Sequence, residues 1–305
     1  MTLHLPTLHS ADNRRIKAAV ALRRHRHRRA TGQFVAEGLR QVTRALDAGL
    51  ALGHGFVCEE LLRTHQADRV DTVVRHASAA PGAAPWFSVS ERLMRKMAYR
   101  QNPSGILAVL DRPGWTLEAL EFGVDGASVA VEPSAANTDP HPGLPKFTAP
   151  QGGADLWLIA VGMTKPGNLG AMARSAEAAG AWGMFVADGE VDPFNPNAIR
   201  ASTGAVFRLP LVCAASDRIH AFLRRRRARI VAAVPCANSS YTALNLTGPT
   251  ALVIGAEDRG LTPPWIENRE VEAVAIPTLG HVVDSLNASA AAAVLLFEAV
   301  RQRHA

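Results

Sequence analysis

Short apolar runs that do not alternate mark the second half of the chain: LWLIAVG (156–162), GMFVA (183–187), RIVAAV (229–234), ALVIGAE (251–257) and VEAVAIP (271–277). Turn residues bound each run, and such a pattern predicts strands buried on both faces, as in a parallel sheet covered by helices. Helical periodicity fills several of the gaps, in LGAMARSAEAAG (169–180) and RIHAFLRRRRARI (218–230). The chain closes on SLNASAAAAVLLFEAVRQR (285–303), a helix for which Ser285 is the expected N-cap. Strands alternating with helices imply an open α/β sheet, whose ligands sit beyond the carboxyl ends of the strands.

The first half has a different rhythm. RIKAAVAL (15–22) and EGLRQVTRALDAG (37–49) read as helices, the second closed by Gly49. Strands follow at GFVCEE (55–60), PWFSVS (85–90) and GILAVL (105–110), with LMRKMAYR (93–100) as a helix between the last two. Residues 123–153 are rich in Gly, Pro, Ala and Ser and carry little periodicity, so they read as a linker. The expected organisation is a small α/β domain over 1–122, the linker over 123–153 and a second α/β domain over 154–305.

With 48% hydrophobic and 20% charged residues among 305, the composition is that of a soluble globular protein, and no apolar run reaches a membrane-spanning length. The N-terminus lacks the apolar core and small-residue cleavage site of a secretory signal. Cys58, Cys213 and Cys236 show neither a CxxC pair nor zinc-ligand spacing, so buried thiols in a reducing cytoplasm are expected and no metal is. The net charge of +6 lies mostly in NRRIKAAVALRRHRHRR (13–29), which contains no acid. A run of this kind is either a solvated helix face or a contact for a phosphate backbone.

Three loops follow predicted strands. GMTKPGNLGAMARSAEAAG (162–180) is Gly-rich but matches neither the GxxxxGK[ST] phosphate loop nor the GxGxxG dinucleotide turn. Asn168 there caps a helix or lies in the loop; only in the loop would Arg174, about 600° of helical rotation further on, face the same crevice. ALVIGAEDRGL (251–261) places Gly255 and Glu257 just past a strand, as a tight turn with an acid. AIPTLGHVVDSLNASAA (275–291) runs into the last helix with Ser285 and Asn287. Taken singly, each loop is explained by turn and cap chemistry.

In this order, NLGAMARSAEAAG, IRASTGAVFRLP (199–210), VIGAEDRGL and IPTLGHVVDSLNASAAAAVLLFEAVRQ resemble the SpoU/TrmH branch of the SPOUT RNA methyltransferases. The likeness covers essentially all of 155–303, and the opening NRRIKAAVALRRHRHRRATGQFVAEGLRQV with NPSGILAVL looks like that family's RNA-binding extension. Ala256 departs from the Asn that usually precedes the Glu. The resemblance implies a SPOUT domain with a parallel sheet and a deep trefoil knot, acting as a homodimer in which RNA and S-adenosyl-L-methionine meet across the subunit interface.

By the same resemblance the catalytic residues are Asn168, Arg174, Glu257, Ser285 and Asn287. Donor contacts come from Gly255, Ile276, Ser285 and Leu286, and Arg23, Arg24, Arg26 and Arg28 face structured RNA. The implied reaction methylates a ribose 2′-hydroxyl, in 23S ribosomal RNA rather than transfer RNA on account of the two-domain layout. It needs no metal, because the sulfonium already activates the methyl carbon. The permanently charged guanidinium of an arginine suits Arg174 to charge stabilisation better than to proton removal. The main rival is an RNA- or ribosome-binding protein that keeps the fold without turnover; a nicotinamide oxidoreductase lacks its glycine fingerprint. The run Arg224–Arg227, His281 and the tryptophans Trp157, Trp182 and Trp265 read more readily as surface or packing residues than as RNA contacts.

Overall fold

The computed structural model describes residues 4–62, 64–79, 82–122, 154–189, 191–280, 282 and 285–305. The expected linker therefore lies outside the described residues, as does His281. The chain divides into two compact units, one of residues 4–114 with Phe194–Phe207, the other of residues 115–122, 154–193 and 208–305.

The first unit contains β1 (Thr7–Leu8), α1 (Arg14–Ala21), α2 (His25–Thr31), β2 (Gln33–Glu37), α3 (Leu39–Asp47), β3 (Leu52–Val57), α4 (Thr64–Ser78), β4 (Trp86–Val89), α5 (Glu91–Met97) and β5 (Ile106–Asp111). The strands form a sheet in the order β1-β4-β3-β5-β2, parallel except for the antiparallel pairs that β5 makes with β3 and β2. Ile16, Ala19 and Leu22 bury against Phe56, Phe87, Leu93, Met97 and Val109, giving the unit its own core. Gly49, at φ +77 just past the end of α3, takes the left-handed turn expected of it. Three elements, β1, β2 and α4, lie where no element was expected.

The basic run 13–29 is not one helix. Asn13 caps α1 through its side chain, α1 ends at Leu22, and Arg24 is extended at φ −93°, ψ 130° before α2 begins. The consequence falls on Arg28, which is 1% exposed and donates from Nη1 to the carbonyls of Leu22 at 2.8 Å and Arg23 at 3.0 Å. A cation there satisfies carbonyls that the end of α1 leaves open. The expectation that Arg28 faces RNA is corrected: it is a structural clamp. Arg28→Ala should destabilise the protein by about 2–4 kcal/mol, because buried carbonyls lose a charged donor. The exposed Arg26→Ala should cost less than about 0.5 kcal/mol. Urea titration of the full-length variants checks both.

In the second unit α6 (Leu117–Phe122) precedes β6 (Leu156–Val161), α7 (Pro166–Ala178) and β7 (Gly183–Ala187). After β7 the chain forms α8 (Pro196–Ser202), which packs within the first unit, where Phe34 meets Phe194 and Phe207 at ring distances of 4.9 and 5.6 Å. It continues through β8 (Leu211–Ala214), α9 (Ser216–Arg225), β9 (Arg229–Ala233), β10 (Thr250–Ile254), α10 (Pro263–Ile266), β11 (Val271–Val274) and α11 (Ala288–Arg303). The expected boundaries shift accordingly. Leu117 and Leu120, placed with the first domain, pack in the second core, and Phe194–Phe207 leaves the second domain for the first.

All six strands of the second sheet are parallel, in the order β11-β9-β10-β6-β7-β8. Every residue of β6, β7 and β10 is buried, as the unalternating runs require. Trp157, Ile159 and Val161 point to one face with Phe222 and Leu223 of α9; α7 and α11 pack on each other and on β6 and β10. The neighbouring strands β6 and β10 are reached from opposite directions of winding. Such a switch point leaves a crevice at the carboxyl ends of the strands.

Packing also settles several side residues. Trp157 and Trp265 are fully buried and Trp182 lies 6.3 Å from Trp157, so these rings serve the core. Arg224 pairs with Glu270 at 3.1 Å, Arg225 with Glu121, and Arg226 with Asp155 at 3.6 Å, which ties α9 to its own unit. Cys58 is buried as expected, whereas Cys213 and Cys236 are exposed, a correction that follows from their positions at the end of an edge strand and in a loop. Among the described residues no helix is long and apolar enough to cross a membrane.

Candidate functional site

Three loops at the carboxyl edge of the second sheet build one cluster. After β6, Gly162 turns the chain at φ +61, and Lys165 is extended ahead of Pro166, which takes the first helical position of α7. Asn168 thus lies inside the first turn of α7 and does not cap it. After β10, the backbones of Ala256 and Gly260 exchange hydrogen bonds of 3.1 and 2.8 Å, closing a tight loop that holds Glu257. Gly255 opens that loop, and an added Cβ there would sit 2.5 Å from the carbonyl carbon and oxygen of Gly260 and 2.8 Å from the nitrogen of Leu261. Only glycine fits, because all three contacts are backbone.

The third loop enters α11 differently from the expectation. Asn287, not Ser285, is the N-cap, its Oδ1 accepting from the backbone nitrogen of Ser289 at 2.9 Å and from its hydroxyl at 2.7 Å. Asn287 Nδ2 is left to donate to Glu257 Oε1 and, at 3.3 Å, to Asn168 Oδ1. Asn168 Nδ2 donates to the same Oε1 at 2.8 Å, the backbone nitrogen of Ala288 does so at 3.4 Å, and Lys165 Nζ pairs with Oε2. Glu257 is therefore the shared acceptor of all three loops, at the positive end of a long helix.

The Lys165 ammonium, followed by the Asn168 amide and the Ala288 N–H, holds the Glu257 carboxyl below the usual carboxylate range against the opposing effect of burial. Glu257 raises Lys165 in return. A carboxylate so fully donated to is a poor proton acceptor and a good staple. Sequence reasoning missed Lys165; the signal available was a cation directly after one buried strand facing an acid directly after another.

Beside this cluster lies a cleft of about 720 Å³ lined by Gly255, Glu257, Ile276, Ser285 and Leu286 together with Pro235. Four residues assigned from separate loops thus share one wall. Pro235 and its neighbours after β9 were not foreseen, since VAAVPC reads as a plain strand end.

Arg174 is not in the cluster. With Asn168 helical, the condition under which the two side chains would share a crevice fails: six helical positions leave them about 120° apart around α7. Arg174 is exposed, lines no part of the cleft, and makes no hydrogen bond or ion pair among the described residues. In the first unit Arg23, Arg24 and Arg26 are exposed, Arg23 reaching the Lys96 carbonyl at 3.5 Å.

Comparison with known proteins agrees with this layout. The family described as SpoU rRNA Methylase matches residues 155–297, and the MRM3-like substrate binding domain matches residues 13–108. The 23S rRNA (guanosine-2′-O-)-methyltransferase RlmB of Xylella fastidiosa is 36% identical over 188 residues, covering 61% of this chain and 75% of the relative. A crystal structure titled RNA 2′-O ribose methyltransferase is 35% identical with a TM-score of 0.72, covering 97% of this chain and 98% of that one. The SpoU methyltransferase AviRb from Streptomyces viridochromogenes, solved in complex with the cofactor AdoMet, is 25% identical with a TM-score of 0.76, over 96% of this chain and 99% of its own. Similarity of this extent, running through both units and all three loops of the cluster, makes the chain a member of the SpoU rRNA methylase family.

Proposed function

We propose that this protein transfers a methyl group from S-adenosyl-L-methionine to a ribose 2′-hydroxyl of 23S ribosomal RNA. One observation carries the reading: the cleft shared by Gly255, Ile276, Ser285 and Leu286 opens beside the stapled Asn168, Glu257 and Asn287. Bound there, the donor supplies a methyl carbon activated by a sulfonium. The apolar side chains of Ile276 and Leu286 exclude water from it, while the narrow Gly255 loop and the N-terminus of α11 set the shape of the wall. Lys165, Asn168 and Asn287 act through Glu257, holding the three loops in register.

In the reaction the ribose oxygen forms a bond to the methyl carbon as the carbon–sulfur bond breaks, and the hydroxyl proton leaves to solvent. Negative charge gathers on the oxygen, and Arg174 is the residue suited to meet it. Because Arg174 is exposed and lines no part of its own chain's cleft, we place it at the cleft of a second copy. The protein is then a homodimer whose site is complete only across the interface. The same reading carries the trefoil knot and a cytoplasmic location.

The exposed arginines of the opening segment supply affinity for phosphates without sequence choice. Arg23, Arg24 and Arg26 changed together to Gln should weaken RNA binding and flatten its salt dependence by about 0.7–0.9 in log–log slope per lost contact. Arg28 is left intact in this variant because it supports the fold. Affinity titrations across salt concentration give the answer, and an unchanged slope would assign the run to solvent. The function itself is tested by mapping ribose methylation in total RNA with and without the protein. Calorimetry adds a second arm, in which S-adenosylhomocysteine should bind and NAD should not. No methylation difference would leave the non-catalytic RNA-binding rival standing.

A further inference from the structure

The turn after α5 carries Tyr99, 42% exposed and, among the described residues of the first unit, the only large apolar side chain left open to water. Its backbone is fixed from the interior. Glu37, 9% exposed at the end of β2, accepts at Oε2 from the backbone nitrogens of Tyr99 at 2.9 Å and Arg100 at 3.3 Å. Arg95 Nη1 donates to the carbonyl of Gln101 at 3.1 Å and closes the far side of the turn. The ring is fixed at its other end by α8, where Asn197 Nδ2 donates to the Tyr99 hydroxyl at 3.0 Å. A side chain held at both ends has already lost the rotamer freedom that a ligand would otherwise have to remove.

The charges around the ring are not equally available. Arg100 Nε stands 4.0 Å from Glu37 Oε1, so those two charges balance each other. Arg200 is exposed, donates from Nη2 to Asn197 Oδ1 at 3.2 Å, and makes no ion pair among the described residues. That hydrogen bond sets an unneutralised guanidinium beside the residue that pins the ring. The hollow between Tyr99, Arg100 and Arg200 holds no more than about one water molecule, so a ligand must lie over the ring and not beneath it.

We propose that Tyr99 is a stacking platform for one unpaired nucleotide of the RNA, with Arg200 holding the adjoining phosphate. The assignment rests on the reading of the first unit as the one that binds RNA. An aromatic face accepts any base, because every base has a π-face, but only a base that is free of its neighbours can be laid on it. The platform therefore distinguishes unpaired from paired RNA and makes no choice among bases. In this it differs from Arg23, Arg24 and Arg26, whose phosphate contacts serve both kinds of RNA alike.

Fluorescence anisotropy with full-length protein tests this on two labelled probes, a single-stranded oligouridylate and a blunt RNA duplex. Tyr99→Ala should weaken oligouridylate binding by about tenfold and leave duplex affinity unchanged. Tyr99→Phe keeps the ring and gives up only the Asn197 bond, so it should retain most of the oligouridylate affinity. Arg200→Gln should lower the log–log salt slope for oligouridylate by about 0.7, the value for one single-strand phosphate. Unchanged oligouridylate binding in Tyr99→Ala, an equal loss on the duplex, or a Tyr99→Phe as weak as Tyr99→Ala would each overturn the platform. Methyl transfer to RNA is measured in parallel. Transfer with no effect of Tyr99→Ala on either probe removes the platform and keeps the enzyme, whereas a Tyr99-dependent preference without transfer keeps the platform and removes the enzyme.

Discussion

Gly255→Val should reduce S-adenosylhomocysteine binding to below detection, and Gly255→Ala should come close to the same result. The cause is the loop rather than crowding of the donor. An added Cβ would lie 2.5 Å from the Gly260 backbone, and no side chain is there to rotate away. The loop must open, which breaks the paired hydrogen bonds between Ala256 and Gly260 and carries Glu257 off its donors on Lys165, Asn168 and Asn287. Ile276→Ala and Leu286→Ala instead trim the cleft wall, and a lost apolar contact costs about 1–3 kcal/mol at most in a partly open site. Isothermal titration of the four variants separates the cases. Small, equal effects throughout would show that this cleft is not where the donor binds. A harmless Gly255→Ala with a harmful Gly255→Val would make crowding of the donor the reason instead.

For Arg174→Lys the expected result is a methyl-transfer rate lower by about 10²–10³, with donor affinity nearly intact. The charge survives this substitution; the planar fork with its paired donors does not. Loss of rate without loss of binding is the pattern of an interaction made mainly in the transition state. The position of Arg174, exposed and outside the cleft of its own chain, adds a sharper test. Inactive Arg174→Ala and inactive Gly255→Val proteins, mixed and allowed to exchange subunits, should regain up to about a quarter of the activity through a site that takes its cleft from one copy and its arginine from the other. Full activity of the Lys variant would exclude a role for the fork. No recovery on mixing would return Arg174 to its own chain's site.

Local pattern carried much of this protein. Unalternating runs such as LWLIAVG and ALVIGAE could be placed as strands because a strand covered on both faces has only apolar positions to show. Gly49 and Gly180 could be placed as helix ends because a left-handed residue, here at φ +77 and +67, nearly demands glycine. β8 escaped notice because only Leu211 and Val212 of its four residues are buried, and α4 because its sequence offers no clean apolar stripe. In the opening segment, arginines identical in type divide by a break of two residues into solvent-facing Arg24 and Arg26 and the buried clamp Arg28.

The family resemblance set Gly255, Ile276, Ser285 and Leu286 together at a donor site, and these residues line one cleft. What the chain order could not decide is which side chains touch. Asn168, Glu257 and Asn287 lie on three loops as many as 119 positions apart, and only the strand order β9-β10-β6, set by packing two helical layers over one sheet, brings those loops together. The same holds for Glu37 and Tyr99, 62 positions apart, whose contact leaves one carboxyl oxygen buried without a donor. Burial and unmet hydrogen bonds are properties of the assembled interior, where water has been removed from both partners, so tertiary structure alone could reveal them.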